Sequence, residues 1–260
     1  MGDYQEQTIE IDGLKVNYKR AGQGTPFIIL HGWGRGSDSW AEALEKLAGK
    51  GYQAIAPDLP GFGKSQPPSA VWGVEDYTQL VKKFADSIGA QSFILLGGSF
   101  GGQVAVQFVS SYPERVQKLI LSAAAVVRRR PAPKRKAFMI VSRLIHGIFS
   151  VWPLSVLHPL LQKIAYKILG NQDYLYTKGI MKEVREKVIR QDLAHVLPKI
   201  ACPTLILWGD KDAITPIEDA SIIERGIPHS SVRIFKGVGH SIHREAPEEF
   251  IEAITQFLQA

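Results

Sequence analysis

The residues with the clearest capacity for chemistry lie in a few short stretches. Leu95-Leu96-Gly97-Gly98-Ser99-Phe100-Gly101-Gly102 sets a serine in the pattern G-x-S-x-G, after a strand-like run and before a helical one. A serine on a sharp strand-to-helix turn takes strained backbone angles. Small residues two before and two after it, here Gly97 and Gly101 with Gly98 between, relieve the crowding. The helix that follows points its first amides toward the serine, which favours negative charge developing there. A phosphate cradle would need a Lys-Ser/Thr pair where this chain has Gln103-Val104, and the glycine spacing does not fit a G-x-G-x-x-G dinucleotide turn. The chemistry that remains is nucleophilic attack by Ser99 on a carbonyl.

A serine hydroxyl needs a base that titrates near neutral pH, usually histidine. The chain has seven histidines. His240 follows Gly237-Val238-Gly239 directly, in a loop after a strand and ahead of the last helix, and is the best placed at a strand end. His243, three residues on, is the alternative, while His146, His158, His195 and His229 have no comparable setting. The base in turn needs a carboxylate to hold its tautomer. Trp208-Gly209-Asp210-Lys211-Asp212-Ala213-Ile214-Thr215-Pro216 offers Asp210 and Asp212, of which one can orient the histidine while the other caps the turn. Acyl transfer also requires donors for the oxyanion. The loop His31-Gly32-Trp33-Gly34, after the run Phe27–Leu30, can supply the Trp33 N–H alongside the Phe100 N–H. His31, Gly32 and Gly34 then support that loop.

The elements that must position these residues follow from hydrophobic periods. Gln7 to Ile11 and Leu14 to Tyr18 alternate around Asp12-Gly13 like a β-hairpin. Short apolar runs follow at 27–30, 54–56, 93–96, 119–121 and 205–208. Such runs suit strands covered by helices on both faces. Tyr77, Leu80, Val81, Phe84 and Ile88 mark one helical stripe, and Phe250, Ile251, Ile254, Phe257 and Leu258 another, with Pro247 at a first helical turn. A hairpin followed by alternating strands and helices predicts a three-layer α/β architecture with a mostly parallel central sheet. Ligands of such sheets bind beyond the carboxyl ends of the strands. The alternation fails over 126–190, which reads as a helical lid inserted between core segments 1–125 and 191–260.

Composition sets the outer bounds. At 260 residues with 45% hydrophobic and 22% charged residues, the chain suits one globular domain with an inserted lobe. Its single cysteine, Cys202, excludes an intramolecular disulfide and a thiolate metal cluster. Neither a metal nor a cofactor is expected. The N-terminus lacks a secretory leader's basic and apolar regions and a myristoylation serine or threonine, and the apolar stretch 137–152 is too short to span a bilayer. These features predict a soluble, cytoplasmic protein. Arg128, Arg129, Arg130, Lys134, Arg135 and Lys136 hold as many positive charges as the whole net excess of +6. A single basic run on an otherwise balanced chain reads as a solvated segment, and no nucleic-acid partner is expected.

Taken together, the motifs around His31, Ser99, Asp212 and His240 resemble those of the α/β-hydrolase superfamily. Pro57-Asp58-Leu59-Pro60-Gly61-Phe62-Gly63-Lys64-Ser65 is similar to its loop after the fourth strand, where Asp58 and Ser65 would brace rather than react. The resemblance implies Asp212 rather than Asp210 as the acid, and the chain order Ser, Asp, His fits the superfamily. Gly98 departs from the His, Asn or Gln that many relatives carry before the nucleophile. The Gly-Gly-Ser-aromatic-Gly form is similar to prolyl iminopeptidases, but His31-Gly32-Trp33-Gly34 does not match their His-Gly-Gly-Pro-Gly loop. The overall likeness is to small bacterial carboxylesterases, lactonases and carbon–carbon bond hydrolases with a helical lid.

The function this implies is cofactor-free hydrolysis of a small ester or lactone with an apolar acyl part. Lid residues Phe138, Met139, Phe149 and Trp152 would either line the acyl pocket or pack the lid onto the core. A peptidase would use acidic lid residues such as Glu183 or Glu186 for a substrate amine. Dehalogenase and epoxide hydrolase chemistry is disfavoured, because those relatives have aspartate where Ser99 stands. A slow-turnover ligand receptor on the same fold is the alternative from another class.

Overall fold

The computed structural model describes residues 3–128 and 179–260. These residues form an eight-stranded sheet in the order β1-β2-β4-β3-β5-β6-β7-β8. The strands are β1 (Gln5–Ile11), β2 (Leu14–Ala21), β3 (Thr25–Leu30), β4 (Tyr52–Pro57), β5 (Phe93–Gly98), β6 (Val116–Ser122), β7 (Thr204–Gly209) and β8 (Ser230–Phe235). The first two form the expected hairpin, with Asp12 at φ 51° and Gly13 at φ 78°, the pair of left-handed residues that a two-residue turn of this twist requires. β2 joins β4 antiparallel, and every pairing from β4 through β3, β5, β6 and β7 to β8 is parallel.

The continuous apolar runs divide between two faces because successive side chains alternate. Along β3, Ile28 and Leu30 join one core cluster with Leu95, Leu119, Leu121, Ile206 and Trp208. Phe27 and Ile29 join the other with Leu96, Ile120 and Leu207. Helices α2 (Val74–Ser87), α3 (Phe100–Ser111), α4 (Ile180–Arg190) and α5 (Glu218–Gly226) supply Val81, Val104, Val184 and Ile223 to the first. Helices α1 (Ala41–Ala48) and α7 (Pro247–Gln259) supply Leu44, Phe250 and Ile254 to the second. Each fully buried side chain of this size contributes roughly 1.5–3 kcal/mol. Pro247 opens α7, where its missing N–H costs no helical bond. The short α6 (Ile242–Glu245) precedes it.

Most of the predicted insertion, including Phe138, Met139, Phe149, Trp152 and the basic run beyond Arg128, lies outside the described residues. Its final segment is α4, whose Met181, Val184 and Val188 are buried in the first core cluster. On α4, Glu186 pairs with Arg190 at 3.8 Å, and Glu183 is exposed. Among the described residues, no helix is long and apolar enough to cross a membrane.

Candidate active site

Parallel pairing brings the carboxyl ends of β3, β5, β7 and β8 to one edge of the sheet, and each is followed by one of the predicted motifs. Ser99 sits between β5 and α3 with φ 51° and ψ −111°, a conformation that L residues rarely adopt. Its N–H donates to Ser122 O at 2.9 Å, and its carbonyl accepts from Gly102 and Ala125 N–H, both at 3.0 Å. The flanking glycines are required by close approach. A Cβ on Gly101 would lie 2.1 Å from Leu30 O, and one on Gly97 would lie 2.5 Å from Gly101 O. The tight turn therefore depends on two glycines pressed against neighbouring backbone.

The β3 loop runs alongside this turn. A Cβ on Gly32 would lie 3.3 Å from Ser99 Cβ and 3.9 Å from its Oγ. His31 is fully buried. Its Nδ1–H donates to Gly32 O at 2.8 Å, and its Nε2 accepts the Leu59 N–H at 2.9 Å, so both nitrogens are used by a neutral ring. Burial lowers its pKa, against the Gly32 bond and the charge of Asp58, which raise it. Trp33 packs edge-on against Phe62 and Phe100, with ring centroids 4.8 and 5.3 Å away. His31 thus ties the β3 loop to the loop after β4.

That second loop is braced by Asp58. Its carboxylate accepts from the Ser37 and Lys64 N–H groups and from Asn17 Nδ2, while Ser65 Oγ donates to Asp58 O at 2.6 Å. Burial opposes the charge, but the Lys64 and Ser37 amides, the Ser37 hydroxyl and Asn17 hold the carboxyl below its usual range. Asp58 and Ser65 are engaged in loop structure, in keeping with the sequence reading.

Beyond β7 and β8 the structure joins Asp212 to His240. The imidazole Nδ1–H donates to Asp212 Oδ2 at 2.7 Å, and the Asp212 side chain is 0% exposed. The second carboxylate oxygen accepts the Ile214 and Thr215 N–H groups at 2.8 and 2.9 Å. Burial pushes the Asp212 pKa up, yet the His240 bond and charge, with the Thr215 hydroxyl and amide, bring it below its usual value. Asp210 does something else: its Oδ1 accepts the Gly237 N–H at 2.7 Å, holding the base of the histidine loop. The two aspartates that sequence left open at first are therefore divided between turn bracing and contact with His240.

His243 does not share that contact. Its ring stacks on Trp40, with centroids 3.8 Å apart and an interplanar angle of 11°. A Cβ on Gly98 would lie only 2.9 Å from the Trp40 ring. The glycine before Ser99, which departs from the superfamily pattern, makes room for this stack.

Sequence reasoning missed three supports: Thr215, Trp40 and Glu245. Glu245 accepts the Gly239 N–H at 2.7 Å and the Ser241 N–H at 3.0 Å, clamping the chain on both sides of His240. Thr215 has a sequence signal, since a hydroxyl three residues after an aspartate is a common turn partner. The other two close on the site only through the fold.

A sequence profile described as the alpha/beta hydrolase fold matches residues 25–142. A 2-hydroxy-6-oxononadienedioate/2-hydroxy-6-oxononatrienedioate hydrolase of Paraburkholderia phymatum is 28% identical over 269 residues, spanning 94% of this chain and 91% of its own. Among solved structures, a membrane phospholipase A described as a bacterial virulence factor superposes with TM-score 0.79 at 27% identity, covering 99% of this chain and 86% of its own. An esterase from Exiguobacterium antarcticum superposes with TM-score 0.75 at 23% identity, covering all of both chains. With the sheet order and the strand-to-helix serine turn, these likenesses define the class: the chain has the α/β-hydrolase fold. It is a hydrolase of that fold.

Proposed function

We propose that the protein is a serine hydrolase that cleaves carboxylic esters, open-chain or lactone, through an acyl-enzyme on Ser99. The observation that carries this reading is the Asp212–His240 bond of 2.7 Å, in loops on the strand edge that also bears the strained Ser99 turn. Ser99 Oγ attacks the ester carbonyl while His240 Nε2 takes its proton. Asp212 holds the tautomer that leaves Nε2 free to do so. The Trp33 and Phe100 N–H groups receive the tetrahedral oxyanion. His240 then protonates the departing alkoxide, and water activated by the same imidazole releases the acid and restores Ser99.

Carbon–carbon bond hydrolysis is the second reading, favoured by the 2-hydroxy-6-oxononadienedioate hydrolase likeness over 94% of the chain. There the group leaving the carbonyl is a carbon, which needs an adjacent electron sink in the substrate. A panel of p-nitrophenyl acetate, butyrate and octanoate, a simple lactone, a proline anilide and a 2-hydroxy-6-oxo-dienoate separates these chemistries. Wild type should turn over the esters or the lactone, and Ser99→Ala should lose several orders of magnitude. Turnover of the dienoate alone would replace ester hydrolysis by carbon–carbon cleavage, and cleavage of the anilide alone would indicate a peptidase.

A further inference from the structure

We infer that Thr215 is a positioning residue of the candidate site, its hydroxyl locking the Asp212 oxygen that orients His240. This rests on the roles proposed above for those two residues. Thr215 is 7% exposed. Its Oγ1 lies 2.7 Å from Asp212 Oδ2, 3.3 Å from His240 Nδ1 and 3.3 Å from Ala123 O. A hydroxyl has one proton to donate and two lone pairs. The shorter contact and the charged acceptor direct that proton to Asp212 Oδ2. A lone pair then faces the His240 Nδ1–H, whose main bond goes to the same carboxylate oxygen.

The threonine itself is held in place. Its N–H donates to Asp212 Oδ1 at 2.9 Å, and its carbonyl accepts Trp208 Nε1–H at 3.0 Å. Oδ2 therefore takes His240 and the Thr215 hydroxyl, while Oδ1 takes two turn amides. A carboxylate offers about four acceptor sites, and all four are filled. Rotating the Asp212 carboxylate would break several bonds in a fully buried setting, so the oxygen facing His240 has one stable position. Replacing the hydroxyl by a methyl leaves one buried acceptor site empty and the imidazole bonded to a looser carboxylate.

The sign of the pH effect follows. Removing a donor destabilises the Asp212 carboxylate and leaves more of its charge for the imidazolium. Both changes raise the pH at which the Asp212–His240 pair takes up its proton. His240 interacts electrostatically with His243 on α6, which in turn feels the charges of Arg244 on α6 and Arg35 on the β3 loop, and none of these is altered by the substitution.

The test compares full-length wild type, Thr215→Val and Thr215→Ser, each checked for a cooperative melt. Thr215→Ala replaces the valine variant if the second methyl prevents folding. Three readouts are taken: kcat and KM on p-nitrophenyl butyrate, the acid limb of the kcat/KM profile, and the low-field proton resonance of His240 Nδ1–H. Valine should lower kcat on the order of tenfold with KM little changed, as expected for an interaction needed in the transition state. The acid limb should move up by about half a unit, and the Nδ1–H resonance should shift or broaden. Serine should restore all three. A folded valine variant with wild-type kcat, acid limb and resonance overturns the inference. So does a valine effect that serine fails to rescue, since that would belong to packing of the methyl. If wild type turns over no ester, the proposed function fails, but the resonance in the valine and serine variants still decides the role of Thr215.

Discussion

Replacing His243 by phenylalanine should remove most of a pH-dependent loss of stability that begins well above the carboxylate range. In the fold, burial first, then the charges of Arg244, His240 and Arg35, push the His243 pKa down from 6.5 to about 4, against a Ser39 backbone bond that raises it. Its Nε2 is buried with no hydrogen-bond partner among the described residues. The unfolded chain protonates this group near 6.5 while the folded chain keeps it neutral, so the unfolded state binds more protons as pH falls. Stability is full above about pH 6.5 and drains away as pH falls toward the folded value. With 1.36 kcal/mol per unit, the loss is about 2 kcal/mol by pH 5 and approaches about 3 kcal/mol near pH 4. Asp58 and Asp212 act in the same direction, but their carboxyls start from an ordinary value of 3.8, so most of their contribution falls below pH 5. Phenylalanine keeps an aromatic ring for the Trp40 stack and removes the titration. Chemical unfolding of wild type and His243→Phe at pH 8, 7, 6 and 5 gives the comparison. The gap between them should change by about 2 kcal/mol in favour of the variant between pH 8 and pH 5. Parallel stability curves would refute the buried, neutral histidine and the argument built on it.

Other substitutions address the remaining supports of the site. Gly101→Ala drives a methyl to 2.1 Å from Leu30 O, and should cost on the order of 3 kcal/mol or more, since packed backbone on both sides must shift. A melting temperature within about 2 °C of wild type would contradict that. Asp212→Asn should lower ester turnover on the order of 10³- to 10⁴-fold through the wrong histidine tautomer. Asp210→Asn should cost less than about tenfold, because its Gly237 bond braces the loop without touching His240. Equal losses from the two aspartates would undo the division of roles. Glu245→Gln exchanges one of two clamping acceptors for a donor, and should reduce kcat a few-fold with under about 1 kcal/mol of stability change. A Glu245→Gln enzyme with unaltered kcat would show that the clamp does not govern His240.

How far the sequence discloses this arrangement depends on how local each determinant is. The strands at 27–30, 93–96 and 205–208 are legible because an apolar run bounded by turn residues has few other uses in a chain of this length. The Asp12-Gly13 hairpin is legible for a similar reason: both residues tolerate positive φ. Ser99 and His240 are marked by the glycines around them, which report backbone geometry. Asp212 and Asp210 are harder to tell apart, because each is a short carboxylate in the same turn, and only the path of the β8 loop decides which one meets His240. His243 and Trp40 lie 203 positions apart, so their stack has no local signature. Gly98 carries a hint of it, as the small residue where many relatives place a larger one. Thr215 reads as an ordinary turn residue until the structure sets its hydroxyl against both Asp212 and His240.

In the proposed mechanism Ser99 carries the acyl group. Treating wild type with diethyl p-nitrophenyl phosphate, digesting it and locating the modified peptide by mass tests this most directly, with Ser99→Ala treated in parallel. The expected result is one phosphoryl adduct on Ser99, ester turnover lost in proportion to its formation, and neither adduct nor turnover in the variant. An adduct mapping to another residue, or ester hydrolysis that survives undiminished in Ser99→Ala, would contradict it.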